Sequence, residues 1–90
     1  MKNQISEFEK YLKKNNKLSK NTIDAYMTDI HQFFDYLSES GFSSFSDITN
    51  AVLLAYCAKM QSKGISKASI LRKLSSIKKF YGYLNIKYNT

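Results

Sequence analysis

The stretch SKNTIDAYMTDIHQFFDYLSESG, residues 19–41, decides the fold class. Ile23, Tyr26, Met27, Ile30, Phe33, Phe34 and Leu37 recur at steps of three and four, the spacing that lines one face of an α-helix. Ser19 precedes them and can accept a hydrogen bond from a free backbone N–H of the first turn. Gly41 follows them, where a left-handed residue ends a helix without a Cβ penalty. Together these signals predict a helix of about 20 residues, roughly 30 Å long.

The same period extends to both sides. Upstream, Ile5, Phe8 and Leu12 form one stripe of a helix over Asn3–Lys14, which Asn15, Asn16 and Lys17 should break. Downstream, Phe42–Asp47 is a loop whose aromatics, Phe42 and Phe45, tuck under the helix ends. Thr49 or Asp47 then caps a third helix with Val52, Leu53, Tyr56, Cys57 and Met60 on its inner stripe, and Gly64 closes it. Ser66 caps a fourth helix, with Ile70, Leu74, Ile77, Tyr81 and Leu84 on one face, widened by Leu71 and Phe80. Asn85–Thr90 is expected to be a frayed tail or the start of a linker. Ninety residues hold one domain. The short connections favour an all-α, compact orthogonal bundle of four helices, or five at most, over residues 1–86, with residues 87–90 opening a linker.

Charge is distributed unevenly along the chain. All seven carboxylates lie at or before Asp47, against six lysines, so the first half carries about −1. Ile48–Thr90 has no Asp or Glu and eight cations: Lys59, Lys63, Lys67, Arg72, Lys73, Lys78, Lys79 and Lys87. Such a field attracts polyanions, nucleic acid foremost. A projection of the fourth helix puts Ala68, Arg72, Ser75, Ser76, Lys79 and Tyr83 opposite the apolar stripe, with Lys67, Lys73 and Lys78 on the flanks. Small side chains let a helix approach a groove while Arg and Lys reach for phosphates. Ser66, Ser69 and the first-turn N–H groups could hold a phosphate. The plainer reading is a solvated face, but a helix that needs only solubility mixes both signs, and this one has no Glu. On the second helix, Asp24, Asp29 and Asp35 would repel a phosphate backbone, which leaves Lys17, Lys20, Asn21 and Thr22 at its N-terminal end as the part suited to DNA.

Other chemistries find little support. One histidine, His31, and one cysteine, Cys57, cannot make a zinc set, and both are expected to be structural. Gly41, Gly64 and Gly82 are too scattered for a phosphate loop. Tyr26, Tyr56 and Tyr81 fall on inner stripes with no Arg–His cluster to activate them. No metal or cofactor is expected. The lone cysteine points to a reducing compartment, and the chain shows neither a signal peptide nor an apolar run long enough for a bilayer, so a cytoplasmic protein is expected.

Two stretches carry a resemblance. Ser19-Lys20-Asn21-Thr22-Ile23-Asp24-Ala25-Tyr26-Met27-Thr28-Asp29-Ile30, with Phe33 and Leu37, resembles a signature in the N-terminal domain of tyrosine recombinases. Ser66-Lys67-Ala68-Ser69-Ile70-Leu71-Arg72-Lys73-Leu74-Ser75-Ser76-Ile77-Lys78-Lys79-Phe80-Tyr81 resembles that domain's last helix, and Asp47-Ile48-Thr49 with Tyr56 match the helix between. The chain thus looks like a Xer-type or phage-integrase core-binding domain, also called SAM-like, over nearly its whole length. The resemblance implies half of a C-shaped clamp around double-stranded DNA, with strand exchange carried out by a separate catalytic domain. It also implies a module that is monomeric alone and works within a homo- or hetero-tetramer on DNA. It places contacts at Asn21, Thr22 and Tyr26, with Tyr26 alternatively core, and at Ser69, Arg72, Lys73 and Ser76. The electrostatic reading adds Lys20, Lys67 and Lys79. Met27 and Thr28 stand where many relatives carry a basic residue, which shifts the contact toward the fourth helix. The rival readings are a helix-turn-helix regulator turning at Gly64-Ile65, and a protein-interaction bundle with a basic face.

Overall fold

The computed structural model describes residues 2–14 and 17–88. Among these residues four α-helices follow one another: α1 (Lys2–Lys14), α2 (Lys20–Glu39), α3 (Asn50–Ser62) and α4 (Lys67–Tyr88), with a 3₁₀ turn at Phe45–Asp47 between α2 and α3. The expected break at Asn15 and Asn16 lies outside the described residues. The linker start at residues 87–90 falls partly outside them too, but α4 stays helical through Tyr88, past the expected end at Leu84.

The helix ends follow from local chemistry. The Ser19 hydroxyl accepts from the Thr22 N–H at 3.2 Å, the Thr49 hydroxyl from Val52 at 3.4 Å, and the Ser66 hydroxyl from Ser69 at 3.2 Å. At the end of α2, Gly41 takes φ 90° and donates to the Ser38 carbonyl, while Phe42 donates to Leu37. At the end of α3, Gly64 takes φ 83° and donates to Gln61, while Ile65 donates to Met60. Both are Schellman closures, in which the left-handed residue turns the chain and an apolar residue folds back over the last turn.

The core lies where α1, α2 and α4 meet, closed by α3 and the 3₁₀ turn. Phe80 joins its parts: its ring meets Phe8 edge-on at 5.1 Å and Phe45 at 4.9 Å. Phe33 of α2 packs on Tyr56 of α3 at 5.2 Å. The Tyr81 hydroxyl donates to the Phe45 carbonyl at 3.1 Å, tying the 3₁₀ turn to α4. Burial pushes the Tyr81 phenol up to about 12. Tyr56 is likewise pushed to about 12, first by burial and then by nearby groups led by Asp29.

The inner face of α4 differs from the expected stripe. Its buried residues are Ile70, Lys73, Ser76, Ile77, Phe80, Tyr83 and Leu84. Leu74 and Tyr81 are half-buried, and Leu71 is 54% exposed. The helix is therefore rotated by roughly 70° from the face that its apolar residues alone select. Ser76 and Tyr83, expected outside, are inside, and Lys73 lies at the centre of the buried arc. On α3, Val52, Leu53 and Cys57 are half-buried, and only Tyr56 and Met60 are fully covered.

Candidate nucleic-acid interface

The rotation of α4 has an electrostatic cause. Asp29 on α2, expected on the outer face, is 1% exposed and faces α4. Its Oδ1 accepts from Arg72 Nη2 at 2.9 Å and from Lys73 Nζ at 3.2 Å, and its Oδ2 accepts from the Ser76 hydroxyl at 2.7 Å. Lys73 also donates to Gln32 Oε1. Three donors from one turn of α4 thus converge on one carboxylate of α2. A buried charge is tolerated only when paired and hydrogen-bonded, and this arrangement satisfies every lone group it buries.

The two cations at Asp29 are not equivalent. The Lys73 side chain is 9% exposed and locked between Asp29 and Gln32, whereas that of Arg72 is 56% exposed. One carboxylate against two cations leaves a surplus of one positive charge, and the arrangement carries it on the exposed guanidinium. Among the described residues, only one nitrogen of Arg72 is engaged within the chain. Its remaining N–H donors stand at a groove of about 380 Å³ between the start of α2 and the middle of α4. Asn21, Thr22, Tyr26, Ser75 and Ser76 line that groove with Arg72.

The sequence-predicted residues divide accordingly. Asn21, Thr22, Tyr26, Arg72 and Ser76 come together around the groove. Thr22 shares its hydroxyl with the Ser19 cap at 2.9 Å. Tyr26 packs on the core and lines the groove. Lys73 is a correction: it is buried and lines the cleft on the other side of α2, together with Tyr36 and Tyr56. Ser76 lines the groove but gives its proton to Asp29. Ser69 is half-buried and accepts from the Ser66 hydroxyl at 3.0 Å, as part of the α4 cap. Lys20, Lys67 and Lys79 are exposed and lie outside the groove lining.

The expectation of an unmatched cationic second half is also corrected. Carboxylates from the first half reach Arg72 and Lys73 through Asp29, Lys59 through Glu39 at 3.7 Å, and Lys87 through Glu7 at 3.4 Å. Among the described residues of that half, Lys63, Lys67, Lys78 and Lys79 have no ion pair. Sequence reasoning missed Asp29 as a structural residue. A signal was present, because Asp29 stands three residues after Tyr26 and four before Phe33, on the edge of the apolar stripe. No described helix is long and apolar enough to cross a membrane.

Residues 5–87 match the family pattern described as phage integrase, N-terminal SAM-like domain. A protein of Caldanaerobacter subterraneus subsp. tengcongensis that carries the name tyrosine recombinase is 42% identical over 80 residues, which is 89% of this chain and 27% of that protein. The tyrosine recombinase XerC of Herpetosiphon aurantiacus is 34% identical over 84 residues, 93% of this chain and 28% of that protein. XerC of Listeria welshimeri is 32% identical over 78 residues, 87% and 26% respectively. The chain spans about a quarter of the length of these relatives. No solved structure matches it.

Proposed function

Because the chain belongs to the family of phage integrase N-terminal SAM-like domains, we propose that it is a duplex-DNA clamp module of a tyrosine recombinase. The observation that carries this reading is the α2–α4 groove, where an exposed guanidinium with free donors stands beside Asn21 and Thr22. Phosphate contacts hold register and come from such Arg, Thr and Asn side chains, with the positive end of α2 behind them. The exposed Lys20, Lys67 and Lys79 add to the positive field of the module. Lys73 supports the site from behind by holding Asp29 when the guanidinium turns to a phosphate. In this reading the module encloses the duplex as a monomer, and breaking and rejoining of DNA belong to a catalytic domain of a parent that assembles as a tetramer.

The test is an anisotropy titration of a labelled duplex at several KCl concentrations. Neutralising about 4–6 phosphates predicts a slope of log K against log salt near −4 to −5. An affinity indifferent to salt would sink the reading.

A further inference from the structure

A second basic cleft lies between α1 and α4, lined by Glu7, Lys10, Tyr11, Lys14, Tyr83 and Lys87, with a volume of about 410 Å³. Its floor is aromatic: the Tyr11 and Tyr83 rings pack at 4.8 Å, and Tyr11 reaches the surface. Its rim carries three ammonium groups against the carboxylate of Glu7, which stands 3.4 Å from Lys87. The Tyr83 hydroxyl and Glu7 raise the Lys87 pKa, so this ammonium holds its proton. Lys10 and Lys14 are exposed and, among the described residues, have no carboxylate partner, while their neighbour Lys13 pairs with Glu9 at 3.6 Å.

Its position relative to the α2–α4 groove matters most. Around α4, Tyr83 and Lys87 fall within about 60° of Arg72 and Ser76, so both clefts open on the same side of that helix. From Arg72 to Lys87 the helix advances about 22 Å. That distance carries the surface past a major groove about 12 Å wide to the backbone beyond it. Cations over an aromatic floor suit a phosphodiester, whose charge meets the ammonium groups while the sugar edge rests on the rings.

We infer that the Lys10–Tyr11–Lys14–Lys87 cleft is a second phosphate-binding site of the module, taking the duplex backbone that leaves the α2–α4 groove. The inference rests on the DNA-clamp reading and extends its footprint to α1.

The experiment repeats the salt titration with a random-sequence duplex about three helical turns long. It compares the wild-type chain, Lys10→Ala/Lys14→Ala, and Lys63→Ala/Lys78→Ala as a control that removes two exposed lysines without ion pairs away from the cleft. Removing one lysine–phosphate interaction flattens the slope by about one. The α1 variant should therefore flatten it by about two, with the control slope and all thermal midpoints unchanged. A wild-type slope retained by the α1 variant overturns the inference and leaves the DNA reading standing. Equal flattening in both variants also overturns it, because general charge would then be responsible. A wild-type chain without salt-dependent binding refutes the DNA reading itself.

Discussion

Replacing Asp29 by alanine removes the carboxylate on which Arg72, Lys73 and Ser76 converge. Arg72 is already exposed and turns to water. Lys73 cannot do so, because its side chain is 9% exposed and the rotation of α4 points it inward. The ammonium is left with Gln32 alone, and the Ser76 hydroxyl keeps only the Arg72 carbonyl, at 3.3 Å. Breaking a buried pair by removing one partner costs about 3–5 kcal/mol. A chain of this length is stable by about 5–13 kcal/mol, so the variant loses a large share of its stability. The midpoint should fall by at least about 12 °C, taking about 4 °C per kcal/mol as the lower conversion for a domain of this size. Asp29→Ala/Lys73→Met removes the stranded charge as well, and it should recover most of the loss because apolar replacements of buried pairs are neutral or better. Urea and thermal unfolding followed by circular dichroism, arranged as a double-mutant cycle, give the coupling directly. A single variant that loses less than about 1 kcal/mol, or a double variant no more stable than the single, would refute the view that this pair sets the face α4 buries.

Two further outcomes follow from the same structure. Arg72→Ala should weaken duplex binding by about 1–3 kcal/mol in anisotropy. It should also cost about 1 kcal/mol of stability, since Asp29 keeps two other donors and the guanidinium is largely in solvent; a stability loss larger than that of Asp29→Ala would contradict this division of roles. Stability should fall between about pH 10 and pH 12, where unfolded tyrosine ionises but Tyr56 and Tyr81 stay protonated in the fold. In that window the folded state binds more protons than the unfolded one, so rising pH favours unfolding, by on the order of 2 kcal/mol per ring. Midpoints measured across that range should show the decline, and Tyr81→Phe should make it shallower; a decline equally steep in Tyr81→Phe would exclude Tyr81 as a contributor.

The candidate site at the α2–α4 groove was only partly legible in the sequence. Asn21, Thr22 and Arg72 were identifiable as residue types that suit a phosphate, and they meet at one groove. The resemblance groups Lys73 and Ser76 with them, because position in a motif registers spacing and not partners. Whether Lys73 points to solvent or to the interior depends on a carboxylate 44 residues earlier in the chain. Asp29 reads with Asp24 and Asp35 as repulsive to DNA, and only its place on the edge of the apolar stripe sets it apart locally. Asp24 and Asp35 are exposed, whereas Asp29 neutralises part of the basic helix it was expected to oppose.

The helical period, the hydroxyl caps at Ser19 and Ser66 and the closing glycines at Gly41 and Gly64 were determined by the sequence alone. Each depends on chemistry within about four residues: a hydroxyl before the first turn, an apolar side chain at every third or fourth place, a residue able to take positive φ. Tertiary structure alone decided which face of α4 turns inward and which of its cations stays in water. Burying a lysine is unfavourable until a carboxylate from another helix arrives to pair with it, and only packing brings α2 and α4 close enough for Asp29 to do so.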